Sequence, residues 1–129
     1  MIMEYNLQTD SFCLNLDLMV YETDALMQVR VSSDGFAGET QMDINVKEMD
    51  AFSKKLWNIY ESLNGSAKIQ EWYGYQQFLE FEGDGKGHIT IRGMICSHSG
   101  SGFFQKLKFE NRIDQTQLRS FAKELNDSY

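Results

Sequence analysis

A chain of 129 residues has room for one domain built on one core, the organisation expected here for residues 1–129. Its 42% hydrophobic content, free of long polar or low-complexity tracts, excludes a disordered chain. The formal net charge of −7, with Lys and Arg nowhere clustered along the sequence, argues against a nucleic-acid-binding surface.

At the N-terminus, Met1-Ile2-Met3-Glu4-Tyr5 lacks the basic and apolar regions of a signal peptide, and no stretch approaches the length of a membrane span. The expectation is a cytoplasmic protein with no membrane partner. Phe12, Leu14, Leu16 and Leu18 alternate with Cys13, Asn15, Asp17 and Met19, the period of a strand with one face on a core. After a turn at Glu22-Thr23-Asp24, Met27, Val29 and Val31 repeat it. Ser33 to Gly38 reads as a second turn, and Met42, Ile44 and Val46 as a third strand.

From Met49 the period lengthens. Met49, Phe52, Leu56, Ile59, Tyr60 and Leu63 share one helical face, and Asp50, Lys54, Lys55 and Asn58 the other. Asn64-Gly65 ends this helix, with Gly65 the natural left-handed cap. Strand signals return at Ala67-Ile69-Glu71, Phe78 to Glu82, His88 to Cys96, and around Leu107 and Phe109. A hairpin symmetric about Gly85 sets Glu82 opposite His88, Glu80 opposite Thr90 and Leu79 opposite Ile91. Asp114 and Gln117 resemble a helix N-cap and its reciprocal partner, ahead of the stripe Leu118, Phe121, Ala122 and Leu125.

The fold class that follows is α+β. It comprises a mainly antiparallel, strongly curved sheet of about seven strands and two amphipathic helices, in the order β-β-β-α-β-β-β-β-α.

No motif in this frame carries chemistry. Gly83-Asp84-Gly85-Lys86-Gly87 lacks the Ser or Thr and the following helix of a phosphate loop, and reads as a hairpin turn. His88 and Cys96 stand about 26 Å apart at strand rise, too far to share an ion, and Cys96 with His98 supplies only two ligands. No metal or other cofactor is therefore expected. Both cysteines read as buried small hydrophobes, and Ser97, Ser99 and Ser101 as a solvated turn beside His98 that holds no catalytic geometry. Glu80, Glu82, Asp84 and Glu110 read as the wet face of a sheet. The unusual stretch is Trp72-Tyr73-Gly74-Tyr75, whose rings strand alternation does not require. Trp72, Tyr73 and Tyr75 are the candidate partner-binding residues, against the alternatives of a cap on the core or a homodimer contact.

Several segments together resemble the WapI-like immunity proteins: Val29-Arg30-Val31, Gly35-Phe36-Ala37-Gly38, Phe52, Leu56, and Leu63-Asn64-Gly65-Ser66-Ala67 in the first half. Gly87-His88-Ile89-Thr90-Ile91-Arg92-Gly93, Leu107-Lys108-Phe109 and Asp114-Gln115-Thr116-Gln117-Leu118 with Phe121 continue the resemblance, the Asp-Gln-Thr helix start being its most specific piece. It implies a bacterial, cytoplasmic, non-catalytic protein that neutralises a cognate toxin by binding it, and it carries no site residues onto this chain. The competing functions are a self-associating structural or interaction protein and a small-molecule-binding domain.

Overall fold

The computed structural model describes residues 2–72, 74–97 and 102–129. The chain opens with β1 (Ile2–Gln8), β2 (Phe12–Tyr21), β3 (Asp24–Ser33) and β4 (Phe36–Asn45), each antiparallel to its neighbour in sequence. Helix α1 (Val46–Ser62) leads to a second antiparallel meander of β5 (Asn64–Gln70), β6 (Phe78–Asp84), β7 (His88–Cys96) and β8 (Lys106–Asp114), and α2 (Gln115–Ser128) closes the chain. The α+β class and element order are as the sequence reading has them. Among the described residues the strands number eight and form two four-stranded sheets, where the sequence suggests one curved sheet of about seven.

The extra strand is β1. Its Tyr5 and Leu7 are buried and alternate with Glu4, Asn6 and Gln8, the same period-two signal as in its partner β2. The sheets face each other through β3 and β4 on one side and β7 and β8 on the other, with Phe12 and Phe109 in ring contact at 6.1 Å. Gly38 permits this approach, because a Cβ there would stand 3.0 Å from Ile95 Cδ1 and 3.3 Å from Leu107 Cδ2. The helices complete the core, α1 against β5, α2 against β1, and each against the other. Phe52, Phe81 and Phe121 form a continuous aromatic row, 5.9 Å between successive ring centroids. Each such buried ring contributes roughly 1.5–3 kcal/mol through the water it leaves.

Both helix starts are capped by side chains. Asn45 accepts from the Glu48 N–H at 2.7 Å, so Val46 begins the helix instead of ending the third predicted strand. Asp114 and Gln117 form the expected capping box, with the Asp114 N–H donating to Gln117 Oε1 at 2.9 Å. At the end of α1 the left-handed residue is Leu63, at φ 67°, and not Gly65 alone. Tertiary packing imposes this, since the Leu63 carbonyl accepts the Gly85 N–H at 2.9 Å and lies where a Cβ on Gly83 would stand at 2.3 Å. Between β3 and β4 the turn is only Asp34-Gly35, both at positive φ (49° and 89°), so Phe36 to Gly38 already belong to β4.

The β6–β7 hairpin pairs two residues away from the predicted register: Glu82 faces Thr90, Glu80 faces Arg92, and Leu79 faces Gly93. Asp84 causes the slip. Its carboxylate accepts the N–H groups of Lys86 (2.6 Å) and His88 (3.2 Å) and centres the turn on Lys86. A two-residue slip preserves faces, so the inward and outward sets are unchanged. Cys96 is buried as expected, whereas Cys13 points outward and is half-buried; both are free thiols.

Candidate partner-binding site

The connection from β5 to β6 is held by polar groups inside the protein. Glu71 and Gln77 stand at its two ends and are both buried. The Glu71 carboxylate accepts from the Gln77 backbone N–H at 3.1 Å and from Gln77 Nε2 at 3.0 Å, and the Glu71 N–H donates to the Gln77 carbonyl at 3.0 Å. Gln77 Nε2 also donates to the Gln41 carbonyl of β4 at 3.1 Å, and Gln77 Oε1 accepts the Cys96 N–H of β7 at 2.7 Å. One glutamine thus ties the loop to both sheets. Between these anchors the chain passes through left-handed backbone at Gly74 (φ 80°) and Gln76 (φ 60°). For a non-glycine residue that conformation costs roughly 1–2 kcal/mol, which the anchors offset.

Trp72 and Tyr75 are 54% and 53% exposed, while Tyr73 falls outside the described residues. The connection from β7 to β8 meets Tyr75. Its neck is closed by Ser97 and Gln105, the Ser97 N–H donating to the Gln105 carbonyl and the Gln105 N–H to Ser97 Oγ, each at 2.9 Å. It presents Phe103 and Phe104, 75% and 50% exposed, and Phe104 packs on Tyr75 with centroids 4.7 Å apart. Two connections distant in sequence therefore place exposed aromatic side chains at one end of the second sheet.

Grooves border these rings on two sides. Trp72 lines a groove of about 790 Å³ together with Glu22, Asp24, Asp50, Lys54 and Tyr129. Tyr75 lines another of about 660 Å³ on the outer face of the second sheet, with Phe78, Met94, Lys68, Lys106 and Lys108. Arg92, in that second groove, is held by Glu80 at 3.0 Å and by Glu82 and Glu110 at 3.4 Å; the Glu80 bond is foremost in raising its pKa.

The sequence reading isolates Trp72 and Tyr75 but misses what supports them. Gln77 and Glu71 carry no local signal, because a buried polar residue beside a strand looks like any loop residue. Phe103-Phe104 had a signal, two adjacent rings in a Gly-Ser connection that no alternation could bury together.

The side chains with chemical capability are elsewhere or apart. His88 sits at the far end of β7 with Nδ1 3.2 Å from Asp84 Oδ2. The turn that resembles a phosphate loop spends two amides on Asp84, whose pKa is lowered chiefly by the Lys86 N–H. Burial pushes the Cys96 thiol up, against the opposing charge of Lys106, so the thiolate a nucleophile requires is disfavoured. His98, Ser99 and Ser101 lie outside the described residues. Among the described residues no three His, Cys, Asp or Glu side chains are grouped as a metal site would require, and no helix is long and apolar enough to cross a membrane.

Fold and site together define an α+β protein of two antiparallel meanders with aromatic side chains exposed at one end. The chain belongs to the Immunity protein WapI-like family, whose pattern matches residues 5–128. No individual curated protein matches it.

Proposed function

We propose that this chain acts in the cytosol as a single non-catalytic domain that neutralises a cognate toxin by binding it, and that Trp72, Tyr73 and Tyr75 lie in the contact. Family membership supports the immunity role. The observation that carries the site is the packing of Tyr75 on Phe104 across two connections whose necks are fixed by Gln77 and by Ser97 with Gln105. Rings held on a fixed backbone lose little entropy on binding, and such rings dominate interface energies. Tyr73 enters on its place in the sequence between the other two. Neither nucleic acid nor membrane is a partner in this reading.

The test is co-expression with the large toxin that this reading expects to be encoded beside the chain. The wild type restores growth and co-purifies with the toxin. Trp72→Ala and Tyr75→Ala each weaken the complex by about 2 kcal/mol or more while the melting temperature stays near that of the wild type. Loss of stability without loss of affinity would make the rings a cap on the core. Dimerisation abolished by the same substitutions, with no effect on the toxin, would make them a self-association surface.

A further inference from the structure

Three lysines from the two edge strands line one groove on the outer face of the second sheet. Lys68 on β5 and Lys106 and Lys108 on β8 line the groove that Tyr75 borders. Nothing in a chain of net charge −7 announces this. The register produces it, carrying Lys68 through Glu80 and Arg92 to Glu110 in one row, and Gln70 through Phe78 and Met94 to Lys108 in the next.

The two kinds of cation in the groove are in different states. Arg92 is paired with Glu80, Glu82 and Glu110, so three carboxylates face one guanidinium. None of the three lysines has a carboxylate within 4 Å among the described residues, and Lys68 rests its ammonium over the Phe78 ring, 4.6 Å from the centroid. The three lysines outweigh the two surplus glutamates by one charge, so this face is net positive, and its unpaired cations flank the half-buried side chains of Phe78 and Met94.

We infer that this groove receives a carboxylate-bearing protein segment with an apolar side chain, the carboxylates facing Lys68, Lys106 and Lys108 and the apolar group covering Phe78 and Met94. The inference rests on the reading of the aromatic end as the partner surface, and it names the chemistry of the partner beside Tyr75. Charge complementarity selects the occupant, since unpaired cations on a surface steer and orient an opposite charge. The glutamates decide between polyanions. Glu80 and Glu110 interrupt the row of cations, so a continuous phosphate track would meet like charge at every second strand, whereas single carboxylates can address single lysines.

The experiment titrates the isotope-labelled full chain with three probes: a short peptide of aspartates and glutamates around a leucine, the same peptide with lysines for the acids, and a single-stranded oligonucleotide of equal charge. The acidic peptide is expected to shift the amide resonances of Phe78, Met94, Lys106 and Lys108, and to bind more weakly as salt rises. Lys68→Glu with Lys108→Glu should lower its affinity about tenfold, whereas Glu39→Lys on the other sheet's outer face should not change it. Tighter binding of the oligonucleotide, equal binding of the lysine peptide, no binding of the acidic peptide, or indifference to the lysine reversals would each overturn the inference. Toxin affinity separates the two claims: Tyr75→Ala weakening the complex while the lysine reversals leave it intact removes the acidic occupant but keeps the interface. Indifference to all of these substitutions removes both.

Discussion

The first sheet turns its chain at Glu22-Thr23 and Asp34-Gly35, whereas the second crosses from β5 to β6 and from β7 to β8 by connections long enough to carry Trp72, Tyr75, Phe103 and Phe104. Each sheet has an arginine near the middle of its outer face. Arg30 is held by Asp17 at 3.0 Å and Glu39 at 3.2 Å, as Arg92 is by its glutamates. Around Arg30 the outer face bears Glu4, Asp17, Glu39 and Asp43, while around Arg92 it also bears the three lysines. One topology thus serves two ends. Exposed rings also flank the tight turns, Tyr21 and Phe36, but those of the longer connections differ in that Tyr75 and Phe104 pack on one another and a buried polar anchor holds the β5–β6 connection.

The largest effect that would break this comparison lies in the core both sheets share. Phe121 is buried and stacked on Phe81, so Phe121→Ala should cost about 3–5 kcal/mol in chemical denaturation. An unchanged unfolding midpoint would mean that α2 is not docked as described.

The anchor comes next. Gln77→Ala leaves the Cys96 N–H and the Gln41 carbonyl without their glutamine partner, and should cost about 1–3 kcal/mol. It should also loosen the toxin complex by freeing the loop. A variant as stable and as tightly bound as the wild type would show that the loop needs no anchor.

The smallest effect is alkaline. Burial, above all, pushes the Tyr129 phenol up from its ordinary 10.0 to about 12. The unfolded chain releases that proton first, so stability falls as pH rises from about 10 towards about 12, and below that window the group contributes nothing. Tyr129→Phe should make the fall shallower. Melting curves with the same pH slope in both proteins would contradict the burial of this phenol.

The helices were legible because their signals are local: Met49, Phe52, Leu56 and Ile59 in α1, and Leu118, Phe121, Ala122 and Leu125 in α2, are buried as spacing predicts. Strand faces were legible for the same reason. Register was not, because the β6–β7 pairing depends on Asp84 capping its own turn, and a shift of two residues leaves the polarity pattern intact. Nor was the division into two sheets, which depends on contacts such as Gly38 against Ile95, far apart in sequence. At the site, Trp72 and Tyr75 stood out by residue type. The lysines did not, because Lys68 on β5 and Lys106 with Lys108 on β8 come to line one groove only when those strands form the two edges of one sheet.

Hydrogen exchange of the full chain with and without bound toxin tests the central claim most directly. The account predicts slowed exchange in residues 70–78 and 103–108, with the outer face of β1 to β4 unchanged. Protection confined to β1 to β4, with the aromatic connections exchanging as in the free chain, would contradict it.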